Sequence, residues 1–74
     1  MKKIEEFKKD NLVGRLYENR VAKEKCFTFK VFKGEPVKEN LIAMSYVYYI
    51  KQDKAREDLI NSMDHLLFTL DELR

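Results

Sequence analysis

Ala55, Leu59, Ile60, Met63, Leu66, Leu67, Leu70 and Leu73 recur at helical spacing near the end of the chain, and this stripe constrains the fold more than any other feature. A helix with one apolar side must bury that side against another element. The best matching surface is the run from Cys26 to Lys33, where Phe27, Phe29 and Val31 alternate with Cys26, Thr28, Lys30 and Phe32. Aromatic and β-branched residues at every second position describe a strand, and Gly34 and Pro36 stop it. Phe27, Phe29 and Val31 are therefore expected to lie on the leucine stripe, with Thr28, Lys30 and Phe32 looking outward.

The remaining segments are less decisive. Residues 2–10 predict a short helix, with Ile4 and Phe7 three apart on one side. Leu12 to Val21 suits either element; alternation favours a strand that pairs with 26–33 through a charged turn around Lys23 to Lys25. Pro36 suits a first helical turn, and Val37, Leu41, Met44 and Tyr48 recur at helical spacing, so a helix is expected over 36–51 despite a tyrosine-rich composition that favours a strand. Asp53 can cap the last helix. The expected class is α+β: a short N-terminal helix and a small antiparallel hairpin (12–21 and 26–33) packed on two C-terminal helices (36–51 and 54–73), in one small domain spanning 1–74.

Size adds a second constraint. A domain of 74 residues buries only about 60% of the surface its unfolded chain exposes, and it often needs a staple or a second subunit. Cys26 has no partner for a disulfide, and with His65 alone it cannot complete a zinc site. Association is the expected supplement, as a homodimer formed mainly by the tyrosine-bearing segment. One unpaired cysteine and no secretory apolar run point to a reducing, cytoplasmic setting. Leu41 to Ile50 is shorter than the ~20 residues a bilayer needs, so no membrane contact is expected.

Nothing in the sequence announces chemistry. Acids adjoin at Glu5 and Glu6, Glu57 and Asp58, and Asp71 and Glu72, but neighbours on a helix point about 100° apart and cannot face each other across a substrate. No nucleophile motif accompanies Cys26 and His65. The expectation is a protein with no enzymatic activity, cofactor, metal or small-molecule substrate.

Surplus apolar surface then suggests what such a chain does. Tyr46, Tyr49 and Ile50 spread apolar groups around their segment, and Phe68 projects among His65, Asp64 and Glu72. These four are the candidate anchors of a regulatory protein, an inhibitor or adaptor, that occupies the surface of a protein partner. The alternative is nucleic-acid binding. Residues 1–38 carry eleven Lys or Arg against six acids, a net of +5, while 39–74 carry four against seven, a net of −3. Arg20, Lys23, Lys25, Thr28, Lys30 and Lys33 would form the contact, with Phe32 as a stacking or wedging residue.

Two resemblances bear on that alternative. Lys25, Phe27, Phe29 and Phe32 are spaced as in the RNA-recognition motif, but Cys26 and Thr28 replace its glycines and only 25 residues precede the strand. The order of strand, helix and helix over 26–73 resembles the ribbon-helix-helix group. That resemblance implies a strand paired with its copy in a dimer, with Thr28 and Lys30 entering the DNA major groove.

Overall fold

The computed structural model describes residues 1–72. Four strands, β1 (Lys2–Lys9), β2 (Leu12–Val21), β3 (Glu24–Lys33) and β4 (Leu41–Met44), precede one helix, α1 (Gln52–Glu72). The strands form an antiparallel sheet in the order β1-β2-β3-β4, and α1 covers one face of it. The class is α+β, but the arrangement differs from the expected one in three places, each with a physical reason.

Residues 2–10 are a strand and not a helix. The spacing of Ile4 and Phe7 that suggests a helical face arises from a β-bulge: the register slips between Lys3 and Glu5, and the extra residue puts Ile4 on the same side as Phe7. Both side chains pack against the core.

The second correction concerns 36–51, where no α-helix forms. Val37 is extended (φ −113°, ψ 159°), a single 3₁₀ turn follows at Lys38–Asn40, and the chain then pairs with β3 as β4. An open edge of β3 offered ladder hydrogen bonds to a segment rich in β-formers, and this outweighed the proline start signal. Of the four positions that spell a helical stripe, Val37, Met44 and Tyr48 are exposed, and Leu41 is half-buried beside Phe32.

Consequently one C-terminal helix stands where two were expected, beginning at Gln52 with Asp53 inside its first turn. The ribbon-helix-helix arrangement falls with it. β3 is flanked by β2 and β4, so both of its edges are paired within the chain and neither can take a copy of itself.

Strands 12–21 and 26–33 do pair antiparallel, in register Leu16 to Phe29 and Gly14 to Val31. Ala22 and Lys23, both with positive φ, close that hairpin as a two-residue turn whose twist suits the strands. Leu12, Leu16, Phe27, Phe29 and Val31 form the inner face, and Ala55, Leu59 and Met63 lie on them. A Cβ on Gly14 would stand 2.5 Å from Met63 Sδ and 3.0 Å from Leu59 Cδ1, so the missing side chain is what lets the helix settle on β2. The side chain of Leu70, the carboxylates of Asp71 and Glu72, and Leu73 lie outside the described residues.

Among the described residues no second layer covers the outer face, yet Val13, Tyr17, Cys26 and Phe32 are buried on it. A long polar side chain covers Tyr17: Lys30 Nζ lies 5.5 Å from the centre of its ring. Phe32 thus faces away from the helix, as expected, but is not displayed; Val13 and Leu41 stand beside it across the two ladders.

On the inner face β1 is tied to the helix by charge. Arg56 donates through Nε to both oxygens of Glu5 (3.1 and 2.9 Å), Gln52 donates to the same carboxylate (3.1 Å), and Lys9 pairs with Asp64. The Arg56 guanidinium holds the Glu5 carboxyl below the usual carboxylate range. These contacts lie along α1 from the level of Glu5 to that of Lys9, while the apolar face of the helix rests on β2 and β3 and leaves β4 outside its main contact. No helix among the described residues is long and apolar enough to cross a membrane.

Candidate functional site

The uncovered flank is where the chain departs most from regular structure. β4 pairs with β3 at Ala43 opposite Val31 and Met44 opposite Lys30. The Ser45 amide then donates to the Phe29 carbonyl (3.0 Å), and the Phe29 amide donates to Ser45 Oγ (3.2 Å). The next contact is at Tyr49, whose amide donates to the Phe27 carbonyl (2.9 Å) and whose carbonyl accepts from the Phe27 amide (2.8 Å). From Phe29 to Phe27 is one step of two residues on β3, while the facing chain uses four from Ser45 to Tyr49. The surplus is looped out, and it carries Tyr46, Val47 and Tyr48.

Pinning at both ends forces these side chains into solvent. Tyr46 is 99% exposed, Val47 57%, Tyr48 63% and Ile50 81%. Ile42 and Met44 on β4 are exposed as well, which extends the apolar surface along the edge. Singly exposed apolar residues are ordinary, but a contiguous set is the usual mark of a contact surface.

Tyr49 has the opposite role. Its ring stacks on Phe29 (centroids 6.1 Å apart, planes at 25°), and its hydroxyl donates to Asp58 Oδ2 at 2.8 Å. Burial, together with the Asp58 carboxylate, pushes the phenol up to about 12. The same hydrogen bond, helped by Lys54 at 3.3 Å, holds the Asp58 carboxyl below its ordinary range. Tyr49 is therefore a bolt between β3 and α1, and the excursion hangs from it.

Behind the excursion runs a groove of about 600 Å³ between β4 and α1. One wall is apolar, with Ile42, Met44 and Val47; the helix wall is polar, with Asn61, Ser62 and His65. Asp58 also lines it but is already engaged by Tyr49 and Lys54. No group of three metal-ligating side chains occurs among the described residues. Cys26 is buried on the outer face while His65 stands on the helix across the sheet, so folding does not bring them together. Glu5 and Glu6, adjacent in sequence, point to opposite faces and bind Arg56 and Arg15 respectively.

Of the four anchors expected from sequence, Tyr46 and Ile50 lie exposed on this flank, and Tyr49 is turned inward beneath them. Phe68 is 65% exposed but does not line the groove. Sequence reasoning passed over Tyr48, Ile42 and Met44 as contact residues. The signal that could have found them is the absence of any charge from Leu41 to Ile50 in a chain that is 38% charged.

The residues of the nucleic-acid alternative are not gathered into one patch. Arg20, Lys23 and Lys25 cluster at the β2–β3 turn, with Lys25 paired to Glu18 at 3.4 Å. The Thr28 hydroxyl accepts from Asn19 (2.8 Å), Lys30 covers Tyr17, and Phe32 is buried. Lys33 stands at the far end of β3, roughly 26 Å from Lys25 at strand rise. Comparison with known protein families, curated proteins and solved structures gave no match.

Proposed function

We propose that this chain is a non-catalytic binding protein that regulates a protein partner by occupying its surface, with the Tyr46–Ile50 stretch as the contact. One observation carries the reading: the excursion is hydrogen-bonded to β3 at both ends, so its exposed tyrosines are held in place before any partner arrives. A preorganised loop loses less entropy on binding than a free one. Tyrosine suits such a site, because its ring packs while its hydroxyl stays hydrogen-bonded or wet. The lone cysteine supports a reducing, cytoplasmic setting for the encounter.

Placing a photo-reactive aromatic at Tyr48, and at Lys23 as a control, tests the reading in the native host. Covalent adducts to a protein of different sequence are expected from position 48 and not from 23, and they should vanish when Ile50→Asp is added. Equal yields at both positions, or adducts to nucleic acid from position 23 alone, would contradict it.

A further inference from the structure

The flank carries both halves of a contact. Tyr46 is a fully exposed ring with a polar tip at the rim of a groove it helps to line, and that groove has an apolar wall and a polar one. We propose that a second copy of this chain occupies this surface, in a two-fold arrangement that seats the Tyr46 ring of each protomer in the β4–α1 groove of the other. The inference rests on reading the excursion as a contact surface and names an occupant for it.

Three observations support a second copy. The first is fit: at about 600 Å³ the groove has room for a tyrosine side chain, whose ring would lie on Ile42, Met44 and Val47 while its hydroxyl meets Asn61 or Ser62. The second is charge. Leu41 to Ile50 contains no ionisable acid or base other than tyrosine, so the β4 side of a two-fold contact would be neutral, and the carboxylate that lines the groove, Asp58, is already paired with Tyr49 and Lys54. The third is area. Ile42, Met44, Tyr46, Val47, Tyr48 and Ile50 leave on the order of 800 Å² open, about the share each partner gives to a stable interface.

Strand pairing is not the glue in this arrangement. β4 has four residues and a bulge where Leu41 and Ala43 face Phe32 and Val31, so its open edge is short and irregular. The side chains make the contact. A second copy and a foreign partner then compete for the same residues, and capture of the partner weakens as self-association rises.

Light scattering and sedimentation of the full chain, from about 1 to about 100 μM, test the proposal. Wild type should approach twice the chain mass across that range. Tyr46→Glu removes the knob and Asn61→Arg blocks the groove; both positions are exposed, so the fold should survive, as circular dichroism can verify. Each variant should weaken dimerisation at least tenfold. A wild type that stays monomeric at the highest concentration, or a dimer indifferent to both changes, would overturn the inference. A monomer that still gives foreign-protein adducts from position 48 would sink the dimer and leave the binding function standing. A dimer without such adducts would do the reverse.

Discussion

The sheet has two outer strands, and they are finished in opposite ways. β1 is eight residues long, and six of them are charged. β4 is four residues long, uncharged, and followed at once by the tyrosine excursion. Both ends discourage the addition of a foreign strand, β1 by its charges and β4 by its brevity and bulge. The fate of the side chains separates them. On β1 three charged side chains reach other elements of the molecule, Glu6 to Arg15, Glu5 to Arg56 and Lys9 to Asp64. On the β4 flank Ile42, Met44, Tyr46 and Tyr48 face solvent. In the proposed contact such a surface would act through its side chains and not through its backbone.

The contrast depends on the helix lying over β2 and β3 and not over β4, and Gly14 is what permits its close approach to β2. Gly14→Val should have the largest effect, a loss of about 3 kcal/mol in urea unfolding, because the new methyl groups meet Met63 and Leu59. A cost below about 1 kcal/mol would mean that the helix can move away freely, and the groove would then have no fixed width. Next comes Tyr49, the bolt beneath the excursion. Tyr49→Ala should cost about 2–3 kcal/mol and loosen the loop, while Tyr49→Phe keeps the ring and should lose about 1 kcal/mol with the Asp58 hydrogen bond. The phenol is raised from 10.0 to about 12 in the folded state. Its contribution is therefore full below pH 10 and is lost as pH rises through about 12. Alkaline unfolding of Tyr49→Phe should lack that component. A decline in the variant identical to that of wild type would remove Tyr49 from this role.

The pairing of 12–21 with 26–33 and the burial of Phe27, Phe29 and Val31 under the stripe were legible because each rests on several alternating or helical positions at once. β1 was not. Its bulge at Ile4 converts a strand's period of two into an apparent period of three, and a bulge leaves no mark of its own in the residues. The 36–51 region failed for a different reason. Proline is compatible with a helix start without requiring one, and the choice was made by the unpaired edge of β3, a tertiary fact no local window contains. At the candidate site, the exposed surplus around Tyr46 and Ile50 could be read from composition. The inward turn of Tyr49 could not, since it depends on Phe29 and Asp58 meeting across three elements.

A smaller effect is expected on the β1 side in acid. The Glu5 carboxyl is held below its ordinary 4.5 chiefly by the Arg56 hydrogen bond, so its contribution is present above that value and is lost as pH falls through the lowered folded one. Both side chains are partly solvated, which keeps the contribution modest. Glu5→Gln should flatten the acid limb of a stability profile without moving the neutral melting temperature by more than a few degrees. An acid limb as steep as that of wild type would assign the tie to other groups.

The smallest effect belongs to the excursion, and it distinguishes the two edges most sharply. Val47→Thr combined with Tyr48→Ser replaces apolar surface that already faces water, so nothing is lost from the core and the urea midpoint of the monomer should not move. The same kind of change on β1, Phe7→Ser, removes a ring packed against the buried cluster and should lower the midpoint clearly. The two variants should differ in the other direction when association is measured, with the excursion double variant losing contact and Phe7→Ser keeping whatever fraction remains folded. If the double variant were instead as destabilised as Phe7→Ser, its side chains would belong to the fold, and the apolar flank would have no surface to offer.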